Sequence, residues 1–279
     1  MKKLEPLILV GLLPKIDQKL IELLKSLSDE DWQKQSIAPR WKVKDIAEHL
    51  LDGNIRTLSI LRDGYVGDPP QNINSYQDFV DYLNKLNADW VAGMKRISPK
   101  VLIELLEITG KEYCEYLQTL NPFDDATWSV AWAGEETSQN WFHIAREYTE
   151  KWHHQQQIRL AVGKTQELYT REFYLPHLET SMRALPHHYR NTKAVDGSGI
   201  QFSITGEGGG DWFLYFENSK WDLVTKLPQS PISKVTIDGE IAWRMFTKGI
   251  LRDEAQKRVK IEGNPELGNK IFDMLAVMA

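Results

Sequence analysis

The sequence has little cysteine, no excess of basic charge and no long hydrophobic run. One of its 279 residues is cysteine, Cys114, which excludes an internal disulfide and a metal site built from several cysteines. Lysine and arginine total 34 against 39 acidic residues, a net charge of -5 that is not typical of a general nucleic-acid binder. The apolar run at residues 7–13 is far shorter than the roughly 20 residues that span a membrane. We therefore expect no nucleic-acid partner, no membrane and, from the low cysteine content, a cytoplasmic protein.

Apolar residues make up 42% and charged residues 26% of the chain, the composition of an ordinary folded protein. In the first half, apolar residues recur at spacings of three and four, which predicts amphipathic helices. The Ser28-Asp29-Glu30-Asp31 segment is typical of a capping box, and Ser138 is a plausible N-cap for a further helix. The helices are predicted over residues 12–24, 41–61, 75–96, 99–119 and 138–162.

The hydrophobic period changes near residue 199. Alternation of apolar and polar residues predicts strands near 200–204, 212–216, 235–237 and 259–261, with a helix near 240–248 and a terminal helix from Asn264 to Leu275. The fold class is therefore multidomain. We expect an all-α bundle over residues 1–165 and a smaller α+β domain over residues 166–279.

The last helix of the first half carries four titratable residues on one stripe. At 3.6 residues per turn, His143, Glu147, Glu150 and His154 fall within a narrow sector, while large apolar residues cover the opposite side. A solvated face would explain this pattern as well as a functional one. Glu150 and His154 are four residues apart, so their side chains can hold one ion between them. His143 is about 16 Å from His154 along the helix and cannot share that ion.

A third ligand is available from another helix. His49 lies beside the apolar stripe of the helix over 41–61, where a lone histidine is ordinarily a core residue. Neighbouring bundle helices lie about 8–10 Å apart, so inward side chains of two helices can converge on one metal. His49, Glu150 and His154 would supply two nitrogens and a carboxylate, the ligand class of catalytic zinc sites. Nickel or iron(II) would accept the same ligands, and His153 is an alternative to His154.

These residues lie in two segments that resemble a known family. Residues 27–32 and 41–50, followed by residues 150–158, are similar to motifs of the mycothiol-dependent maleylpyruvate isomerases, which belong to the DinB-like four-helix bundles. The resemblance implies metal ligands at His49, Glu150 and His154, and it favours His154 over His153. Gln157 stands where the family usually has aspartate. The second half resembles the sterol-carrier-type α+β domain that follows the bundle in these isomerases.

The resemblance implies a metal-dependent enzyme that activates a low-molecular-weight thiol for addition to an electrophilic small molecule, as an isomerase or an S-transferase. Zinc is the favoured metal, and the thiol and the substrate are the expected partners. Two alternatives stay open: a metal-dependent hydrolase of the DinB-like superfamily, and a non-catalytic protein that binds a metal and an apolar ligand. Cys114 has no activating neighbour in the sequence, which favours a buried structural thiol over a nucleophile.

Overall fold

The computed structural model describes residue 2, residues 4–71 and residues 73–277, with the backbone alone of Tyr76. The chain begins with helices and ends with a mixed helix-and-strand region. The helices are α1 Leu13–Lys25, α2 Asp29–Trp32, α3 Val43–Thr57, α4 Tyr76–Met94, α5 Pro99–Thr119, α6 Asn140–Val162, α7 Arg171–Ser181, α8 Leu185–Tyr189, α9 Gly239–Phe246, α10 Arg252–Gln256 and α11 Pro265–Gly268. The strands are β1 Gly199–Ile204, β2 Gly210–Glu217, β3 Lys220–Val224, β4 Ser233–Ile237 and β5 Val259–Gly263.

The first part is a helix bundle, as predicted. α1, α3, α5 and α6 pack against one another, and α4 packs on the outside of α3. Local signals set the ends of these helices. The Ser28 hydroxyl caps α2 in the predicted capping box, and Pro99 opens α5 behind the Ser98 cap. Gly163 ends α6 in the left-handed conformation, at φ 73°.

The second part contains one five-stranded sheet in the order β3-β2-β1-β4-β5. β1 and β4 are parallel and all other neighbours are antiparallel. Four of the five strands match predicted ones, and the α+β class is confirmed. β3 was not predicted; Asn218 and Ser219 connect it to β2 in a two-residue turn with positive φ at both positions.

Three further expectations were wrong. Ser138 does not cap α6, because its hydroxyl accepts the Val130 N–H and donates to Glu135, and α6 begins after Gln139. The terminal helix stops at Gly268 and continues only as a short 3-10 turn. The helices α7 and α8, between the bundle and the sheet, were not predicted at all.

The hydrophobic core is shared between the two parts of the chain. One cluster of buried side chains extends from Leu9 through the bundle to Ala276, and a second one lies within the bundle between Leu20 and Ile158. Tyr148 of α6 donates to the Phe173 carbonyl of α7 at 2.8 Å, and Tyr174 donates to the Gly239 carbonyl at 2.6 Å. α7 therefore joins the bundle to the sheet. The domain boundary at residue 165 stays a prediction.

A buried charged residue fixes the position of α6 in the bundle. The Lys151 ammonium lies 2.9 Å from an Asp17 carboxylate oxygen of α1 and donates to the Asn54 amide oxygen of α3 at 2.8 Å. It also lies over the Tyr113 ring of α5, 4.3 Å from the ring centroid. A Cβ at Gly110 would stand 2.9 Å from the Asp17 carboxylate, so glycine leaves room for the contact between Lys151 and Asp17.

Within the described ranges, no helix is long and apolar enough to cross a membrane.

Replacing Lys151 with methionine should lower the free energy of unfolding by about 3–5 kcal/mol, because Asp17 then keeps a largely buried charge without its partner. The double variant Lys151→Met/Asp17→Asn should recover much of this loss. Lys111→Met, which removes an exposed lysine on α5, should leave stability nearly unchanged. Urea unfolding measures all three, and equal stabilities of Lys151→Met and Lys111→Met would contradict the assignment.

Candidate metal centre

The three predicted ligands come together where α3 crosses α6. Ile46 and Leu50 of α3 are buried in the bundle core, which turns His49 toward α6. One ligand atom from each of His49, Glu150 and His154 can be chosen so that all three lie within 4.8 Å of one another. The imidazole rings of His49 and His154 have centroids 4.6 Å apart. The structure thus brings together a His–Glu–His cluster.

An indole ring covers one side of this cluster. The centroid of the Trp41 ring lies 4.8 Å from that of His49 and 5.9 Å from that of His154. The Glu150 side chain is one-third exposed, while that of His154 is 10% exposed. Solvent therefore reaches the cluster from the side of Glu150. Trp41 lies in one of the segments that resemble the family. Its spacing in the sequence did not predict that it would contact the cluster.

Gln157 determines which nitrogen of His154 faces the cluster. Its amide oxygen lies 3.0 Å from Nδ1 of His154, and because an amide oxygen only accepts, Nδ1 carries the hydrogen. In the neutral ring Nε2 then keeps its lone pair, and it lies 3.4 Å from a carboxylate oxygen of Glu150. Two electron pairs that face each other need a cation or a proton between them. Gln157 thus orients the predicted ligand His154, at the position where the resemblance led us to expect aspartate.

The protonation of the cluster also suits a metal ion. Burial holds the pKa of His49 well below its usual range, so this ring is neutral at pH 7. Burial opposes ionisation of Glu150, but the adjacent His154 ring and the other neighbouring histidines outweigh it and lower the pKa of this carboxyl. Metal ligands must be neutral imidazoles and ionised carboxylates, and His49 and Glu150 are in those forms.

A buried nitrogen of His49 provides a test of whether the residues fit a metal. Nδ1 of His49 is buried and has no hydrogen-bond partner in the part of the chain that the structure describes. A buried polar atom without a partner is costly, by about 1–3 kcal/mol. Together with the facing lone pairs of His154 and Glu150, this donor set fits a divalent cation.

The remaining titratable residues of α6 have other roles. Nδ1 of His153 lies 3.0 Å from the Thr149 carbonyl oxygen, and His153 is not part of the cluster. His143 and Glu147 form a separate polar group with Arg146, whose guanidinium donates to both. The sequence left open that the titratable stripe of α6 is a solvated face. That interpretation is wrong, because His143 is only 2% exposed.

Cys114 is a buried structural thiol, as predicted. Its sulfur lies 3.7 Å from the Asp17 carboxylate, and burial together with that charge raises the pKa of the thiol to about 12. A thiol with this pKa is not a nucleophile at neutral pH.

His177 was missed by sequence reasoning. Its ring on α7 stacks on the Trp152 ring with centroids 4.2 Å apart, and neither ring nitrogen bonds to any residue that the structure describes. No periodic signal could have placed it, because α7 itself was not predicted.

The fold and the cluster define a helix-bundle protein with an internal His–Glu–His cluster and an appended α+β region. Residues 13–159 match the model of the mycothiol maleylpyruvate isomerase N-terminal domain, slightly more than half of the chain, and the chain belongs to that family. No curated protein matches this sequence. The resemblance stated from the motifs is confirmed.

Two solved structures are similar to this chain. A structure of the mycothiol-dependent maleylpyruvate isomerase aligns at 14% identity with a TM-score of 0.48, and it covers 85% of this chain and 86% of that one. A histidine-to-alanine variant of the isomerase aligns at 13% identity with a TM-score of 0.47 and the same coverage.

Replacing Gln157 with alanine should weaken metal binding about 10- to 100-fold, because His154 loses the acceptor that orients it. Gln157→Asp should keep the affinity, since a carboxylate accepts the same hydrogen bond. Competition with a chromogenic chelator measures the affinities. Equal affinities of the wild type and Gln157→Ala would show that the amide does not support the ligand.

His143 should make the stability of the protein dependent on pH. Burial is the main cause that lowers the pKa of His143 from 6.5 to about 4, so between these values the unfolded chain binds a proton that the native state does not. The contribution of the neutral His143 ring to the free energy of unfolding is complete above pH 6.5 and is lost as the pH falls toward 4. Between pH 6.5 and pH 5 it should decrease by about 1.5 kcal/mol.

Urea unfolding of the wild type and His143→Phe at several pH values tests this expectation. The variant should show the smaller loss of stability on acidification, whatever its absolute stability. Parallel pH profiles of the two proteins would contradict it.

Proposed function

We propose that this protein is a metal-dependent enzyme that uses a low-molecular-weight thiol to attack an electrophilic small molecule, as an isomerase or an S-transferase. The observation that carries the proposal is the cluster of His49, Glu150 and His154, which offers three protein ligands where a structural zinc would have four. A divalent metal held there, with zinc favoured over nickel or iron(II), supplies a Lewis acid that lowers the pKa of a thiol.

The nucleophile has to come from outside the chain. Cys114 is buried, with its pKa raised to about 12, so the protein itself provides no reactive thiol. The exposed side of the cluster, at Glu150, leaves an approach for a small thiol, and the Trp41 ring covers the two histidines. We place this reaction in the cytoplasm, where such thiols are kept reduced.

The proposed reaction balances without an oxidant or a reductant. The thiol loses its proton, and the thiolate adds to an electrophilic alkene carbon and forms a C–S bond. The former double bond becomes a single bond and rotates. If the thiolate then leaves, the double bond is restored with the opposite geometry, which is an isomerisation. If the adjacent carbon takes up a proton instead, a thioether remains, which is a transfer.

Several groups of this chain support these steps. Gln157 orients His154, and burial keeps His49 neutral, so the ligands need little rearrangement on binding. Lys151 fixes α6 against α1, which holds Glu150 and His154 toward α3. A hydrolase would use the same cluster with water in place of the thiol. An assay therefore has to compare turnover with and without a thiol.

The test combines metal analysis with turnover. The purified wild type should carry about one divalent metal per chain, and His49→Ala and His154→Ala should lose it, while His188→Ala, a histidine of α8, should not. The zinc-loaded wild type should isomerise maleylpyruvate, or form a thioether with a chlorinated aromatic electrophile as chloride leaves, only when mycothiol, bacillithiol or glutathione is present.

Three outcomes would contradict the proposal. Unchanged metal content in both cluster variants would remove the metal site. Turnover that is independent of every thiol would favour the hydrolase, and metal binding without turnover, together with tight binding of an apolar ligand, would favour the non-catalytic protein.

A further inference from the structure

A short loop between α2 and α3 carries the indole that covers the His–Glu–His cluster. Residues 35–42, which we call the Trp41 loop, end at the N-cap of α3. Gln35 and Lys42 pair in an isolated antiparallel bridge, and the Val43 N–H donates to the Lys34 carbonyl at 3.0 Å. The two ends of the loop are therefore fixed to each other and to the first turn of α3.

Three donors meet at the carbonyl oxygen of Trp41. The Ser36 hydroxyl donates to it at 2.7 Å, the Gln35 side-chain amide at 2.9 Å and the Ser36 backbone N–H at 3.2 Å. The Trp41 N–H in turn donates to the Ala38 carbonyl at 3.0 Å. Both backbone polar groups of Trp41 are thus held within the loop. The backbone cannot turn the indole away from the cluster without breaking several of these hydrogen bonds.

The indole contacts two metal-ligand candidates at once. Its ring is tilted by 39° against the His49 ring and by 40° against the His154 ring. Gln157 orients His154, but within the described residues no hydrogen bond to the His49 ring is formed. Contacts between aromatic rings contribute about 0.5–1.5 kcal/mol beyond the burial of area. The indole is therefore the contact that orients His49, as Gln157 orients His154.

The second part of the chain contacts the same loop. Ile37, in the middle of the Trp41 loop, packs against the hydrophobic core that the two parts share. A Cβ at Gly249, which follows α9, would stand 2.9 Å from Cδ1 of Ile37, so the two residues are in close contact. The Gly249 N–H donates to the Arg244 carbonyl at 2.6 Å, which fixes this turn to α9. The loop thus lies between the cluster and the α+β region.

We infer that the Trp41 loop is a positioning element for the metal ligands, in which Trp41 orients His49 and His154 and the α+β region supports the loop at Ile37. This inference rests on the metal site of the proposed function and adds a positioning residue and a role for the second part of the chain. Ligands that are already oriented lose less conformational freedom when a metal binds, so the metal affinity should depend on the indole.

Competition with a chromogenic chelator for zinc tests the indole. Trp41→Ala should weaken zinc binding about 10- to 100-fold, the usual cost of losing a group that orients a metal ligand. Trp41→Phe, which keeps an aromatic ring, should retain most of the affinity. Trp128→Ala is the matched control, because Trp128 also lies against a histidine, His143, with centroids 6.2 Å apart, but outside the cluster. This control should bind zinc like the wild type.

The cobalt(II) spectrum separates positioning from a general loss of structure. Cobalt(II) bound in place of zinc absorbs visible light, and its bands change with the arrangement of its ligands. At saturating cobalt, Trp41→Ala should show altered bands, whereas Trp41→Phe and Trp128→Ala should reproduce the wild-type spectrum. The Tm of each metal-free protein shows that it is folded at the temperature of the assay.

Two further variants test the support of the loop. Ser36→Ala removes the shortest hydrogen bond to the Trp41 carbonyl, and Ile37→Ala removes the contact with Gly249. Both should weaken zinc binding by less than Trp41→Ala and alter the cobalt bands in the same direction, although neither residue is a ligand. Ile108→Ala, which truncates a 59% exposed isoleucine of α5, should do neither.

The outcomes separate this inference from the proposed function. Wild-type zinc affinity of Trp41→Ala, or equal losses in Trp41→Ala and Trp128→Ala, would overturn the role of the indole. Wild-type affinity of Ile37→Ala would overturn the support by the α+β region. Chelator competition needs neither thiol nor turnover, so zinc binding that depends on Trp41 in a protein without thiol-dependent turnover would keep this inference and contradict the function. Thiol-dependent turnover with a zinc affinity that Trp41→Ala leaves unchanged would do the reverse.

Discussion

The burial of a polar helix is the constraint on which the rest of this structure depends. α6 is buried on almost every side from Asn140 to Arg159, although much of that segment is polar. Buried polar groups need partners, and α1 supplies several of them. The Gln155 amide donates to the Ile16 carbonyl at 2.9 Å, and the Arg159 guanidinium donates to the Lys19 carbonyl at 3.1 Å. With Lys151 held by Asp17, α6 has one rotational setting, and that setting directs Glu150 and His154 toward α3.

Most of the bundle and two of the three cluster residues could be predicted from the sequence alone, because those signals are local. Amphipathic spacing marks the helices that have one buried face, and Glu150 and His154 need only a helix to share a direction. His49 is a long-range partner, which spacing alone could only suggest and which the family motifs supported. The orientation of His154 by Gln157 was not predictable, since it depends on the side-chain rotamer of a residue that departs from the family pattern.

The segment between the bundle and the sheet could not be predicted for the opposite reason. α7 contains Pro176 in its interior and is buried on several sides, by Trp152 of α6 and by the residues of the sheet region. The buried face of α7 includes the polar residues His177, Thr180 and Ser181, so its sequence lacks the apolar stripe on which the prediction relied. His177 and the link between the two parts were therefore visible only in three dimensions.

The shared core has a consequence for how the protein is made. The cluster between Leu20 and Ile158 has all its members once α6 has been synthesised, whereas the cluster that includes Leu9 also needs Met274 and Ala276. At roughly 5–20 residues per second, the ribosome adds the last hundred residues over about 5–20 s. During that interval the apolar surface around Trp152 is without the helices and strands that later cover it. The cluster within the bundle can thus pack during translation, while the shared cluster has to wait until residues up to Ala276 have been made.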